Sequence, residues 1–267
     1  MTYNYFLYAS WHSYAIAMLT FFLVASTGCA SKQPVYQDLL TVVASSKAEG
    51  SLIPEKGWWQ AALRIKSVKE AEEENVIDPL WHVDLFLAHS VMAPILEKYH
   101  EDITLWRFHR RATPDAVGHQ FSFAFYSSPQ IAKYIFEEIA GSTLLEKAKI
   151  RGFITAEIYD DTTILAHPAI SDTSDDNWST ITQKAWPYYI MGVSQMWLTM
   201  IDDIIKDNPP PAEDIKSIND LIDYYNEVNE VVKTLWRDEA QHAFLHHLNA
   251  IFGYEPMLYY EPRLIRF

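Results

Sequence analysis

The 267-residue sequence contains a single cysteine, Cys29, so an internal disulfide framework is excluded. Basic residues are also scarce, because 21 Lys and Arg stand against 35 Asp and Glu, for a formal net charge of −14. A field of that sign repels phosphate backbones, so we expect no nucleic-acid partner. Glycine-rich phosphate loops and G-x-S-x-G nucleophile elbows are missing as well. Aromatic residues make up 14% of the chain, which is enough to fill a sizeable core.

Charged side chains are absent from residues 1–28, the stretch that leads up to Cys29. Within it, residues 14–25 form a mostly apolar run of about a dozen residues, the length of a signal-peptide h-region and too short for a membrane span. Ser26 and its neighbours are small and lead directly into the cysteine. The pattern is therefore typical of an exported chain.

This segment resembles a bacterial lipoprotein signal peptide with its lipobox, in which the chain is cut before a cysteine that becomes acylated. The resemblance implies a signal peptide over residues 1–28 and lipidation of Cys29. It also implies an outer-membrane anchor, since alanine and not aspartate follows the cysteine, with the rest of the chain on the periplasmic face. Two or three acyl chains anchor firmly because each buried CH₂ contributes about 0.8 kcal/mol. Residues 29–57 are then predicted to be a lipidated tether and 58–267 a single globular domain.

Hydrophobic periodicity in the remaining chain predicts an α+β fold. Alternating residues predict a hairpin over 103–126, and shorter strand-like runs occupy 152–159 and 263–267. Longer stretches with helical spacing predict several long, largely buried helices that cover this small antiparallel sheet. The predicted helices span 58–74, 79–100, 129–149, 178–206 and 214–252.

One face of the predicted hairpin gathers positive charge. Arg107, His109 and Arg111 alternate with apolar residues, and Gln120 and Ser122 face them from the second strand. Guanidinium groups suit bidentate contacts with carboxylate or phosphate, which makes this face a candidate anion-binding site. The alternative is that these cations pair with the surplus Asp and Glu of the chain.

The order helix, WRFHRR strand, loop, GHQFSFAFY strand is similar to the thiopeptide-type C-terminal domain of lantibiotic dehydratases, over about residues 80–145. The resemblance implies that Arg107, Arg111 and His119 are the positions to test for elimination chemistry. It adds His119 to the candidate anion-binding set.

A third candidate is a metal site near the C-terminus. Glu239, His242 and His246 fall within roughly 60° of one another on a helix, and a carboxylate with two imidazoles can bind zinc or iron, or act as acid and base. Glu-x-x-His also resembles the ligand motif of ferritin-like di-iron proteins, and Glu97-x-x-His100 is a second copy. The alternative is an ordinary helix surface with solvated side chains.

These patterns support two functional hypotheses. The leading one is a membrane-anchored bacterial lipoprotein whose periplasmic domain has a binding, assembly or envelope role. It rests on the signal-peptide pattern that ends at Cys29, together with the lack of a complete set of catalytic residues in the sequence. The alternative is an enzyme, either metal-dependent through the Glu-x-x-His helix or lyase-like through the Arg/His face. The sequence assigns no cofactor, substrate or protein partner.

Overall fold

The protein has the α+β architecture expected from its sequence, with a four-stranded antiparallel sheet packed against helices. The predicted signal peptide, most of the predicted tether, including Cys29, and the predicted strand at 263–267 lie outside the described residues. Gly57, the last residue of the predicted tether, is the first residue of a strand. The structure, a computed structural model, describes residues 55–69, 77–113, 115–210 and 215–255.

The main sheet has the order β4-β5-β1-β6, and each neighbouring pair is antiparallel. β2 and β3 form a separate two-stranded antiparallel sheet. The strands are β1 (Gly57–Ile65), β2 (Ser67–Lys69), β3 (Ile77–Pro79), β4 (Leu105–Ala112), β5 (His119–Ser127) and β6 (Ile154–Tyr159).

The helices cover this sheet and continue beyond it. Two short π-helical segments, Leu87–Met92 and Trp236–Ala240, interrupt the α-helical pattern. The helices are α1 (Trp81–Phe86), α2 (Ala93–Lys98), α3 (Pro129–Ala140), α4 (Thr143–Ile150), α5 (Thr180–Asp207), α6 (Ile218–Leu235) and α7 (Gln241–Ile251).

Two interlocked crossovers build the sheet. The first crossover joins β1 to β4 through α1 and α2, and these two strands run parallel with β5 between them. The second joins β5 to β6 through α3 and α4, and these two strands run parallel with β1 between them. This is the β-α-β-β-α-β pattern of split βαβ units. The predicted hairpin over 103–126 is confirmed as β4 and β5, and the strand predicted near 152–159 is confirmed as β6.

The strand β1 corrects the sequence prediction, which placed a helix over 58–74. All residues of β1 except Gln60 and Arg64 are buried. Because β1 lies between β5 and β6 and both its faces are covered, apolar residues fill consecutive positions and the two-residue alternation disappears. Trp59 belongs to the main core, whereas Trp58 packs in a second, smaller cluster on the other side of the sheet.

The main core lies between one face of the sheet and the helices. Phe121, Phe123 and Phe125 of β5 are fully buried there, beside Phe86 of α1 and Tyr225 of α6. Edge-to-face packing of Phe86 on Tyr225, with ring centroids 5.8 Å apart, joins α1 to α6. The core thus holds the C-terminal helix α6 to the sheet layer.

The helix predicted over 79–100 is present but begins later. Leu80 is the N-cap, and the preceding residues Asp78 and Pro79 belong to β3. The π-helical segment Leu87–Met92 ends two residues before Pro94, which has no N–H to donate to the preceding turn.

The helices predicted downstream are confirmed with small changes. The one predicted over 129–149 is divided into α3 and α4, and Ser142 caps the second of them by accepting from the Leu145 amide at 3.3 Å. Those predicted over 178–206 and 214–252 appear as α5 and as α6 to α7. None of the helices in the described part of the chain combines the length and the apolar character that crossing a membrane requires.

Candidate anion-binding site

The sheet face opposite the main core carries positive charge across three strands. In one row Arg64 of β1 and Arg111 of β4 lie on either side of Gln120 of β5. Below it come a row centred on Ser122 and a row centred on Ala124. We call this surface the basic face, and its members are Gln60, Ala62, Arg64, Arg107, His109, Arg111, Gln120, Ser122 and Ala124.

Small residues form the floor of the basic face. Ala62, Ser122 and Ala124 are only 2%, 1% and 4% exposed. Ala124 packs with Trp58 and Leu105, and Met191 of α5 lies against this small cluster. Gln120 donates its amide Nε2 to Ser122 Oγ at 3.0 Å. We call the region around Gln120 and Ser122, which Arg64 and Arg111 flank on the neighbouring strands, the bay.

Two guanidinium groups on the basic face have unused hydrogen-bonding capacity. The Nε atoms of Arg64 and Arg107 are buried and make no hydrogen bond to any residue in the described part of the chain. Burial lowers the pKa of Arg107, but an arginine still keeps its charge at neutral pH. A buried donor without a partner is costly, so both side chains favour an incoming acceptor.

Arg111, the third guanidinium, is held by the loop that joins β4 to β5. Its Nη2 lies 2.5 Å from Asp115 Oδ2. This contact, together with the amides of Gly118 and Val117, lowers the pKa of Asp115 to about 2. Asp115 therefore stays ionised and keeps Arg111 oriented at the rim of the bay.

The imidazole of His109 lies between two arginines along β4. Partial desolvation and the charges of Arg107 and Arg111 lower its pKa, so the ring is neutral at physiological pH. A neutral imidazole can donate one hydrogen bond and accept another, or take up a proton. The positive charge of the basic face therefore resides on its guanidinium groups.

The lower end of the basic face is less suited to an anion. A cavity of about 310 Å³ borders Arg107, and its lining includes Asp160 and Asp172. Both carboxylates accept backbone hydrogen bonds, from the Gln60 amide at 2.7 Å and the Ala169 amide at 2.8 Å. Negative charge on that wall leaves the upper row, around Gln120, as the better place for an anion.

The structure brings together three of the four residues predicted for this site. Arg107, His109 and Arg111 share the basic face, but His119 is fully buried on the other side of the sheet. The physical reason is the two-residue period of a strand, which puts His119 on the same face as Phe121. The resemblance that grouped His119 with the arginines is thus not matched by their placement.

Sequence reasoning missed two sets of residues. Arg64 was hidden because β1 was predicted to be helical. Asp84 of α1 was also missed; it is fully buried, with Oδ2 accepting from Arg110 Nε at 2.7 Å and Oδ1 lying 3.0 Å from His119 Nε2. The same strand period could have placed Arg110 with Phe108 on the core face.

The predicted metal ligands lie elsewhere, in the C-terminal helices. Glu239 falls in the π-helical segment Trp236–Ala240, whose wider turn breaks the angular relation assumed for a regular helix. His242 and His246 stack on α7 with ring centroids 5.7 Å apart, and all three side chains are exposed. Among the described residues no three His, Cys, Asp or Glu side chains come together in a way that could hold a metal ion.

The second Glu-x-x-His copy lies at the end of α2. His100 Nδ1 lies 2.7 Å from the backbone oxygen of Glu97, and the His100 ring is exposed. This local contact is typical of a helix C-terminus, where an imidazole satisfies a free carbonyl.

Comparisons with known proteins show little. No family model matches the sequence, and no curated protein matches it. Among solved structures, that of TsrL aligns with 55% of this chain at 15% sequence identity and a TM-score of 0.32. The alignment covers 35% of TsrL, so this chain spans about a third of that protein's length, and so weak a likeness carries no argument about function.

Proposed function

We propose that this chain is a lipid-anchored bacterial envelope protein whose globular domain binds an oxyanion, a carboxylate or a phosphate, on the basic face. The observation that carries the binding proposal is the row Arg64, Gln120, Arg111. Its two arginines start about 10 Å apart, two strand spacings, so their guanidinium groups can converge on one anion above the central amide.

The surrounding charge supports this choice. In a chain of net charge −14, the basic face gathers three arginines, and the one carboxylate that pairs with any of them in the described residues is that of Asp115. Asp115 is 44% exposed, so water screens part of its attraction for Arg111. An anion can therefore compete for Arg111 while satisfying the unused Nε of Arg64.

The basic face favours binding over elimination chemistry. The lyase-like alternative groups His119 with Arg107 and Arg111, yet His119 lies across the sheet from them and close to Asp84. His109 is the imidazole that shares the face with the arginines, and its neutral form can contribute a hydrogen bond to a bound anion.

Calorimetric titration of the purified chain with inorganic pyrophosphate, at low salt, tests the binding proposal. We expect Arg64→Gln and Arg111→Gln each to weaken binding at least tenfold, because a hydrogen bond to a charged group contributes about 1.5–3 kcal/mol. Binding should also weaken as salt is added.

Arg151→Gln is the matched control, since Arg151 is an exposed arginine outside the basic face and its loss changes the net charge equally. It should leave pyrophosphate affinity within about twofold, the range expected of a distant screened charge. An equal loss in Arg151→Gln and Arg64→Gln would mean that only net charge matters, and the site would have to be abandoned.

The anchor proposal is supported by the apolar run and the small residues that end at Cys29. Radiolabelled palmitate supplied to bacteria that express the full chain should enter the wild-type protein and not Cys29→Ala. The unlabelled variant should still bind pyrophosphate, because the basic face lies in a different part of the chain. Equal labelling of both proteins, or of neither, would contradict the anchor without affecting the binding site.

A further inference from the structure

A second cavity lies on the core side of β4, away from the floor of the basic face. It has a volume of about 570 Å³, opens to solvent and is bordered by the start of α1, the end of β4, α5, α6 and the π-helical segment Trp236–Ala240. That volume is within the range usual for small-molecule sites. We call it the tryptophan pocket, because three of its walls are the indoles of Trp81, Trp197 and Trp236.

Arg110 is fixed inside this pocket by four contacts. Its guanidinium carbon lies 4.8 Å from the ring centroid of Trp81 and 4.7 Å from that of Trp197, so the cation is sandwiched between two indoles. Its Nε donates to buried Asp84 at 2.7 Å, and Nη2 donates to the Trp81 carbonyl at 3.2 Å. The remaining Nη1 makes no hydrogen bond to a described residue, so one donor of a preorganised cation is left for a ligand.

The charged residues that line the tryptophan pocket are positive, whereas the chain as a whole is negatively charged. Three cations line the pocket, Arg110, Arg111 and Lys233, and none of the described residues that line it is an Asp or a Glu. The partners of Arg111 and Lys233 are the exposed Asp115 and Glu230, pairs that open at small cost. The pocket therefore selects for negative charge in one part and for apolar surface in the rest.

We propose that the tryptophan pocket binds a small amphipathic anion, that is, an apolar ring system or chain that carries a single oxyanion group. The indoles would contact the apolar body, and the oxyanion would lie between Arg110 Nη1 and Lys233. Arg111 borders both sites, but the other residues differ, because the tryptophan pocket lies mainly on the core side of β4 and its apolar walls have no counterpart in the bay.

Fluorescence titration of the full chain with 1-anilinonaphthalene-8-sulfonate tests this proposal. The neutral analogue N-phenyl-1-naphthylamine has the same ring body without the sulfonate. Energy transfer from tryptophan should report one saturable site that binds the sulfonate at least tenfold more tightly than the neutral analogue. Equal affinities would overturn the proposed role of the cations.

Matched variants locate the site. Trp236→Ala should weaken sulfonate binding at least tenfold, whereas Trp178→Ala should change it less than twofold, since Trp178 is 37% exposed against 40% for Trp236 and lies outside the pocket. Lys233→Gln should weaken the sulfonate and not the neutral analogue. Lys133→Gln is its control, because Lys133 also pairs with a helical glutamate, Glu137, on an exposed surface.

Two further measurements keep the outcome decisive. Near-UV circular dichroism of each variant should match the wild type, since a loosened core would bind the dye without a specific site. Arg64→Gln should weaken pyrophosphate binding at least tenfold and leave sulfonate binding unchanged. If Trp236→Ala binds like the wild type, or if Arg64→Gln removes dye binding, the pocket is not the site, and the pyrophosphate result still decides the basic face separately.

Discussion

Replacing Asp84 by asparagine is expected to destabilise the protein by about 3 kcal/mol, near the lower end of the range for breaking a buried ion pair. The Asp84 side chain is 0% exposed and lies between Arg110 and His119. Asparagine has the same shape but no charge, so the guanidinium loses its counter-ion. The lower end applies because Arg110 is 28% exposed and water screens part of its charge.

Urea unfolding of Asp84→Asn beside Asp203→Asn measures this effect. Asp203 also pairs with a cation, Lys206 at 3.9 Å, but its side chain is 67% exposed, so we expect a change below about 1 kcal/mol for the control. Equal losses in the two variants would show that the buried carboxylate contributes no more than a surface one.

A combined variant separates stability from binding at the same residues. The variant replaces Asp84 and both of its partners by apolar residues: Asp84→Leu, Arg110→Met and His119→Phe. It removes both the attraction between the buried charges and the cost of desolvating them. Such replacements are often neutral or stabilising. We therefore expect this variant to recover most of the stability lost in Asp84→Asn. It should bind the sulfonate in the tryptophan pocket more weakly than the wild type does, because Arg110 is gone.

Replacing Phe123 by alanine is expected to destabilise the protein by about 3–5 kcal/mol, the range for large aromatic truncations in a core. Phe123 is fully buried in β5, with ring centroids 5.0 Å from Phe125 and 5.8 Å from Phe108. The residue paired with it on the neighbouring strand β1 is Ala61, which is too small to fill the space left behind. The cavity therefore persists, and its cost adds to the lost transfer free energy.

Tyr134→Ala is the control for this prediction. Tyr134 of α3 is an aromatic residue with 45% exposure, so its truncation should cost less than about 1 kcal/mol. Chemical denaturation with one probe of secondary structure and one of tertiary structure gives both values. A loss below 1 kcal/mol in Phe123→Ala would mean that the sheet and helices can repack around this position.

How much of the fold the sequence predicts depends on how many faces of each element are covered. β4 is an edge strand, and its alternation of Trp106 and Phe108 with cations predicts both the strand and the shared face of Arg107 and Arg111. β1 is covered on both faces, so apolar residues such as Trp58 and Trp59 follow each other. Without the alternation of a half-covered strand, the sequence predicts a helix there.

The candidate site was predictable to the same extent. Arg107, His109 and Arg111 of one strand could be grouped from their spacing alone, whereas Arg64 could be added only by knowing that β1 pairs with β5. The contact of Asp84 with Arg110 joins residues 26 positions apart, and that of Asp84 with His119 joins a helix to a strand. Such pairs follow from packing, which local periodicity does not encode.

The neighbouring residues Arg110 and Arg111 show why the number of residues in β4 is constrained. Consecutive positions of β4 supply one cation to the buried contact with Asp84 and the next to the bay on the opposite face. Losing or gaining a single residue upstream of Phe108 in this strand would exchange the faces of Phe108 and His109, burying a polar ring and exposing an apolar one. The connection between β4 and β5, which begins after Ala112, can change in length without shifting which residues of β4 face the core. Insertions and deletions in homologous sequences should therefore accumulate in that connection and spare the strand.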